Sequence, residues 1–176
     1  MSKLSDEEIM KSVSNGNLRA LTFIFERYNL RIYNFLNQMV KDREISEDLT
    51  QNVFYKIIKY KQTYNGQKFA PWIFKIARNI FLDYYQEQKK TQSLELSEQN
   101  LAIIDENSLD KEEDKIHLER LINTLSNEDK ELLIMNRIHG IKYNEISEIV
   151  GSNPGAVRVR VHRIINKLRI NYFKTN

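Results

Sequence analysis

The stretch that decides the fold is KYNEISEIVGSNPGAVRVRVHRIINKLR, residues 142–169. Its first part repeats apolar residues at helical spacing. These residues are Ile146, Ile149 and Val150. Gly151 can adopt the left-handed conformation that ends a helix at little cost. Asn153 and Pro154 then suit the cap and the first position of a second helix. The stretch therefore predicts two helices joined by a tight turn.

The second predicted helix combines an apolar stripe with a basic exposed side. The apolar positions are Val157, Val161, Ile164, Ile165 and Leu168. The basic residues are Arg158, Arg160, Arg163, Lys167, Arg169 and Lys174. A basic run alone is more often the solvated face of an ordinary amphipathic helix. Together with the preceding helix, the glycine turn and the cap, it indicates a DNA-binding helix-turn-helix, whose second helix enters the major groove.

The distribution of charge divides the chain into three parts. Residues 1–90 contain 15 Lys and Arg against 10 Asp and Glu, residues 91–117 contain 2 against 8, and residues 118–176 contain 10 against 6. The middle part has too few large apolar residues to bury a core. We therefore expect two basic domains, 1–90 and 118–176, that touch nucleic acid and are joined by a flexible acidic linker, 91–117.

Both domains are predicted to be all-α, because no useful length of strand-like alternation occurs. Ser5 and Glu8 form a capping-box pattern for a first helix. We expect the second helix to start near Asn17, Ser46 to cap a third, and Pro71 to open a fourth. Two further helices, over 118–125 and 127–138, should precede the helix-turn-helix. Helical spacing places Phe25, Tyr60, Trp72 and Tyr84 among the inward-facing residues.

Composition argues against several classes of protein. The chain has no Cys, which excludes disulfides and thiolate chemistry. Its three His residues are scattered without metal-ligand spacing, and no phosphate loop or nucleophile motif occurs. We therefore expect no cofactor and no enzymatic activity.

The N-terminus lacks the apolar run of a signal peptide, and no segment has the apolar length of a membrane span, so a cytoplasmic location is expected.

Four motifs resemble the conserved regions of bacterial sigma factors. The second region is resembled by FIFERYNLRIYNF at 23–35, by SEDLTQNVF at 46–54 and by WIFKIARNIFLD at 72–83. The fourth region is resembled by residues 118–169, which include GAVRVRVHR. Counterparts of the first and third regions are missing. This two-domain minimum is the pattern of the extracytoplasmic-function (ECF) sigma factors.

The resemblance implies a protein that binds core RNA polymerase, recognises promoter DNA at the −35 and −10 elements and helps to melt the duplex. It implies no covalent chemistry, since the polymerase makes the phosphodiester bonds. Relatives are commonly held inactive by an anti-sigma factor.

One rival interpretation is a helix-turn-helix response regulator or repressor that does not join the polymerase. Another is a phage or plasmid DNA-packaging or replication adaptor. A regulator would need a sensory or dimerisation domain upstream, and an adaptor would not explain SEDLTQNVF.

Two surfaces of the N-terminal domain follow from the resemblance. The single-stranded −10 element should meet the loop before the fourth helix and the start of a polar face on that helix. The residues are Tyr64, Asn65, Gly66, Gln67 and Lys68 in the loop, with Arg78 and Asn79 on the helix. Amide side chains bond base edges and aromatic rings stack on unpaired bases. In the alternative interpretation, Tyr64, Phe69 and Trp72 are ordinary aromatic residues of the core.

The resemblance also implies that core polymerase binds Asp48, Gln51 and Asn52. In the alternative interpretation, these three residues form a plain solvated face of the helix.

The double-stranded −35 element should meet the second helix of the helix-turn-helix. Arg158, Val159 and His162 are expected at base edges, where arginine pairs with guanine and valine contacts a thymine methyl group. Arg160, Arg163 and Lys167 are expected at phosphates, which position the protein without specifying sequence. His162 is alternatively a simple surface residue.

Overall fold

A computed structural model of the chain describes residues 4–94 and 111–174. These two ranges contain eight α-helices and no strand. The helices are α1 (Asp6–Ser14), α2 (Leu21–Val40), α3 (Arg43–Lys59), α4 (Phe69–Leu94), α5 (Lys111–Asn123), α6 (Asn127–Leu133), α7 (Tyr143–Val150) and α8 (Pro154–Lys174). The all-α prediction is confirmed. None of these helices is both long enough and apolar enough to cross a membrane.

The chain forms two compact units, Met1–Glu98 and Gln99–Asn176. Helical structure enters the predicted linker from both sides, because α4 continues to Leu94 and α5 begins at Lys111. At the second boundary, the Tyr172 hydroxyl of α8 donates to Asp114 of α5 at 2.8 Å, and the His117 and Tyr172 rings lie 5.1 Å apart. These tertiary contacts stabilise a turn of helix that the acidic composition alone did not predict. The flexible linker prediction otherwise falls on residues 95–110, which lie outside the described residues.

The N-terminal unit begins with the predicted capping box. The Glu8 amide donates to the Ser5 hydroxyl at 3.2 Å, and the Ser5 amide donates to the Glu8 carboxylate at 2.8 Å. Helix α1 buries Ile9, Met10 and Val13 against the unit. The second helix starts later than predicted, because a 3₁₀ turn over Leu18–Ala20 follows Asn17 before α2 begins.

The third helix begins earlier than predicted, so the Ser46 cap is wrong. Asp42 is the N-cap, and its side chain accepts from the Ile45 amide at 3.0 Å. Ser46 is buried inside the first turns of α3, where its hydroxyl donates to the Asp42 carbonyl. Lys41 ends α2 in the left-handed region at φ 60°, which leaves Asp42 free to start α3. Aspartate performs the same capping chemistry as serine, only four residues sooner.

The fourth helix starts at Phe69, which places Pro71 in its first turn rather than at its first position. Proline is tolerated there because first-turn amides lack partners within the helix. The core of the unit is rich in phenylalanine. Its largest fully buried aromatic residues are Phe35, Phe69, Phe74 and Phe81.

Four positions that were expected to face inward are exposed or only half-buried. Phe25 is 47% exposed and Tyr60 is 44% exposed, while Trp72 and Tyr84 are half-buried. Phe25 packs instead on Phe54 of α3, with ring centroids 4.9 Å apart. The apolar positions of α2 and α3 therefore extend past the core and form part of the protein surface.

The C-terminal unit is built around α8, which packs against α5, α6 and α7. One cluster in its core contains Leu125, Leu133, Ile164 and Leu168. A π-helical turn over Ile134–Ile138 follows α6, so the helix predicted over 127–138 changes its winding in the middle. The helix-turn-helix is confirmed in α7 and α8. Gly151 ends α7 at φ 69°, and the Asn153 side chain accepts from the Ala156 amide at 3.1 Å.

Candidate nucleic-acid interface

The rotation of α8 is fixed by its buried stripe of Val157, Val161, Ile164 and Leu168. At about 100° per residue, Val159 lies opposite this stripe and is 47% exposed. Arg158 and His162 lie on one flank of the exposed side. Arg163 and Lys167 lie on the other flank and are also exposed. The exposed side of α8 therefore carries Val159 between two flanks. One flank has an arginine and a histidine, and the other has an arginine and a lysine.

Arg160 differs from the other predicted phosphate contacts because it is already paired. Its Nε donates to Asp129 at 2.6 Å, and its Nη2 donates to Glu128 at 3.0 Å. The hydrogen bonds that Arg160 donates to Glu128 and Asp129 raise the pKa of its guanidinium. Both carboxylates belong to the first turn of α6, where they also face the positive end of the helix dipole. Arg160 thus links α8 to α6 through ion pairs that the local sequence does not predict.

An open groove runs between α6 and the Arg163 flank of α8. It is lined by Asp129, Gly155, Ala156, Val159, Arg160, Arg163, Ile164 and Lys167. Gly155 and Ala156 leave the N-terminal end of α8 free of bulky side chains. The backbone at this end can therefore approach another molecule closely, with cations farther along the same helix.

The loop between α3 and α4 is organised around Tyr64, which is buried rather than displayed. Its ring lies 5.1 Å from the Trp72 ring and 6.2 Å from the Phe69 ring. Its hydroxyl donates to the Gln67 carbonyl, and burial raises the pKa of Tyr64 to about 12. The expectation that Tyr64 stacks on a base from the loop surface is therefore corrected: both the ring and the hydroxyl are engaged inside the unit.

The remaining loop residues are presented outward. Asn65, Gly66, Gln67 and Lys68 are exposed. Gly66 has φ 85°, a conformation that side-chain-bearing residues rarely adopt. The Gln67 side chain accepts from the Asn65 amide at 3.0 Å, which stabilises the turn. On α4, Asn79 is exposed and Arg78 is half-buried. The loop therefore displays two amide side chains and a lysine from an ordered backbone.

The predicted polymerase stripe is exposed at all three positions, Asp48, Gln51 and Asn52 of α3. Gln51 borders a groove between α2 and α3, whereas Asn52 borders a second groove between α3 and α4. The first groove is lined by Phe25, Asn29, Leu30, Tyr33, Glu47, Thr50, Gln51 and Phe54. The second is lined by Leu49, Asn52, Tyr55, Lys56, Lys59, Tyr60, Ile80, Asp83, Tyr84 and Glu87. The stripe is thus the ridge between two depressions.

Beside this ridge, sequence reasoning missed Leu30, whereas helical spacing predicts that Tyr55 lies on the outer side of α3 with Asp48, Gln51 and Asn52. Leu30 is 66% exposed in the first groove, and Tyr55 is 61% exposed in the second. For the second groove a signal existed in YKIIKYK, residues 55–61, in which two tyrosines lie among three lysines. Such interleaving of aromatic and basic residues is typical of surfaces that bind single-stranded nucleic acid.

Both units match known protein regions. Sigma-70 region 2 matches residues 24–91, and Sigma-70 region 4 matches residues 116–168. Each match covers most of the helices that build one unit. The fold and these two matches therefore define a protein of the sigma-70 class that contains regions 2 and 4.

Curated relatives narrow the class further. The RNA polymerase sigma factor CarQ of Myxococcus xanthus is 29% identical over 163 residues, covering 91% of this chain and 93% of CarQ. The ECF sigma factor SigM of Bacillus subtilis is 25% identical over 153 residues, covering 85% and 93% respectively. The chain belongs to the ECF family of RNA polymerase sigma factors, and its function is promoter-directed initiation of transcription.

Solved structures support the same fold. CnrH in complex with the cytosolic domain of CnrY has a TM-score of 0.75 at 16% identity, with 97% of this chain and 99% of that chain covered. The sigma factor RpoE in complex with the anti-sigma factor NepR from Bartonella quintana has a TM-score of 0.73 at 21% identity, with 89% and 98% covered. A helix-turn-helix regulator that does not join the polymerase is not favoured, since it lacks a region 2.

Proposed function

We propose that this sigma factor divides its work between its two units, Met1–Glu98 and Gln99–Asn176. The N-terminal unit binds core RNA polymerase and reads the melted −10 element. The C-terminal unit reads the duplex −35 element. The observation that carries the proposal is the exposed side of α8, which combines cations with an apolar residue on a helix whose rotation is fixed by the core.

In the −35 complex, α8 enters the major groove with its N-terminal end towards the bases. Arg158 pairs with a guanine, Val159 contacts a thymine methyl group, and His162 reaches a neighbouring base edge. Arg163 and Lys167, on the other flank, neutralise phosphates. Arg160 can bind a phosphate only through guanidinium donors that do not bond to Glu128 and Asp129.

In the −10 complex, the exposed loop residues Asn65, Gly66, Gln67 and Lys68 meet unpaired bases. The two amide side chains provide both donors and acceptors for base edges. Arg78 and Asn79 lie farther along α4 and follow the backbone of the same strand. Tyr64 supports this surface from below through its bond to the Gln67 carbonyl.

The ridge formed by Asp48, Gln51 and Asn52 binds core polymerase. Exposure of all three side chains on one regular helix supports this, as does the apolar groove beside Gln51. An interface core of apolar residues with a polar rim is the usual composition of a specific protein contact. Because the partner performs the nucleotide chemistry, this chain contributes binding and positioning and no covalent step. Its place of action is the cytoplasm, and an anti-sigma factor is an expected partner.

The polymerase contact is tested with the full-length chain. Asp48→Ala combined with Gln51→Ala should reduce co-purification with core polymerase at least tenfold while leaving the helical circular dichroism unchanged. The matched control is Gln88→Ala combined with Glu119→Ala, which removes one amide and one carboxylate from exposed positions on α4 and α5 that border neither groove beside the ridge. Equal retention of polymerase by the two double variants would refute the assignment of the ridge.

A further inference from the structure

The first helix is bonded to both ends of the loop that precedes α4. At one end, the Ser14 hydroxyl donates to the Lys61 carbonyl at 2.6 Å, and the Gln62 side-chain amide donates to the Ser14 carbonyl at 3.0 Å. At the other end, the Phe69 amide donates to the Glu7 carboxylate at 3.0 Å. These contacts join residues 47 to 62 positions apart in the sequence.

The Glu7 contact performs a capping function from another helix. Phe69 is the first residue of α4, and its amide has no partner within that helix. A carboxylate beside a helix N-terminus also interacts favourably with the positive end of the helix dipole. Glu7 therefore fixes the point at which the loop ends and α4 begins.

The first helix is itself held in place, so its contacts define positions rather than follow them. Asp6 accepts from the Tyr28 hydroxyl at 2.6 Å and pairs with Arg27 of α2. Ile9 and Met10 are buried on the same helix. The helix thus links the loop to α2 through charged and apolar contacts at once.

The loop between these two attachments is short and internally bonded. The buried Tyr64 ring packs on Phe69 and Trp72, and the Tyr64 hydroxyl binds the Gln67 carbonyl. A small displacement of Phe69 would therefore move Tyr64 and, with it, the backbone that displays Asn65 and Gln67.

We propose that Glu7 and Ser14 of α1 are positioning residues for promoter readout: by fixing both ends of the loop over residues 61–69, they determine which −10 bases the loop accepts. This inference rests on the proposed function, in which the loop reads the −10 element. Neither residue lies in the segment matched by Sigma-70 region 2, which begins at residue 24.

The experiment measures transcription by holoenzyme containing the full-length chain across a library of single-base −10 variants. Glu7→Ala and Ser14→Ala should each reduce discrimination between the best and the other bases by at least about fivefold, the lower end of what one base contact supplies. Glu7→Gln retains an oxygen that accepts from the Phe69 amide and should preserve the wild-type profile. Preference at the −35 element should not change.

The matched control is Glu8→Ala. It removes the same charge from the next residue and breaks the capping box of α1. Within the described residues, the Glu8 carboxylate bonds to Ser5 and to no residue of the loop. We expect it to lower transcription from every −10 variant by one common factor. If Glu7→Ala and Ser14→Ala also lower all variants uniformly, the helix contributes only stability and the proposal is overturned.

Asn65→Ala separates this proposal from the proposed function. A changed −10 profile with Asn65→Ala and an unchanged profile with Glu7→Ala would overturn the positioning role and leave the loop as the reader. Unchanged profiles in both would overturn the loop assignment together with the positioning role. Amide hydrogen exchange of the free chain adds a readout independent of DNA: residues 64–69 should exchange faster in Glu7→Ala than in Glu8→Ala, and equal rates would contradict the proposal.

Discussion

Replacing Arg158 by alanine tests how α8 reads sequence. Arg158 follows the buried Val157 near the N-terminal end of α8, the end that approaches base edges in a helix-turn-helix. It is exposed, and within residues 4–94 and 111–174 it has no ion-pair partner, in contrast to Arg160. The substitution should therefore leave the fold intact and remove only a contact with DNA.

The expected magnitude follows from the geometry of a bidentate arginine–guanine pair. Such a pair contributes about 1–3 kcal/mol of discrimination, which corresponds to roughly 5- to 150-fold in affinity for the preferred base. Arg163 lies on the opposite flank, where a phosphate contact is expected. Arg163→Ala should leave base preference unchanged and reduce the slope of log affinity against log salt by about 0.9. Between 50 and 200 mM salt, that slope change amounts to roughly 3.5-fold in affinity.

The assay is holoenzyme binding to single-base −35 variants at two salt concentrations. Arg158→Ala should abolish preference at one position, and Arg158→Lys should restore charge but not preference, because lysine lacks the planar fork of donors. Arg163→Ala should weaken all variants by one common factor, which shrinks as the salt concentration rises because wild type loses its extra phosphate contact. If Arg158→Ala weakens every variant equally, Arg158 contacts phosphate and the assigned rotation of the reading face is wrong.

Three further predictions concern stability. Lys41→Gly should raise the unfolding free energy of the N-terminal unit by about 0.5 kcal/mol, because Lys41 has φ 60°, and a lower urea midpoint would contradict this. Arg160→Ala should destabilise the C-terminal unit by about 1 kcal/mol, allowing for half-exposed partners, and should be non-additive with Asp129→Ala in a double-mutant cycle; additive losses would refute coupling through the ion pair. Burial holds the pKa of Tyr64 at about 12, above its unfolded value of 10.0, so its neutral form stabilises the native state below pH 10 and this contribution is lost as pH rises towards 12. Urea midpoints should therefore fall over that range, and less steeply in Tyr64→Phe; equal slopes would contradict the assignment.

Local signals in the sequence predicted local structure well. The Ser5 capping box, the left-handed Gly151 and the Asn153 cap are confirmed, because each depends on residues within three positions of one another. The same logic was wrong for Ser46, since Asp42 offers an equivalent cap one turn earlier. Sequence alone does not decide between two good caps that lie so close together.

Features that depend on distant partners were not predictable from the sequence. Arg160 was assigned with the other cations, yet its partners lie 31 and 32 residues away. Tyr64 was assigned to the loop surface, but the aromatic rings of α4 provide a buried site for it. Helical spacing likewise placed Phe25 inside, and only the packing of α2 on α3 shows that its position is at the rim. The roles of the candidate site residues in binding remain predictions.

The most direct test of the central claim is transcription from fragmented bacterial genomic DNA by purified core polymerase, with and without the full-length chain, followed by mapping of transcript starts. The chain should bind core polymerase and produce a discrete set of new starts, each preceded by one shared −35 motif and one shared −10 motif. Arg158→Ala should relax the first motif alone, and Asn65→Ala the second alone. No new starts, or starts without shared motifs, would contradict the account of a two-unit promoter reader.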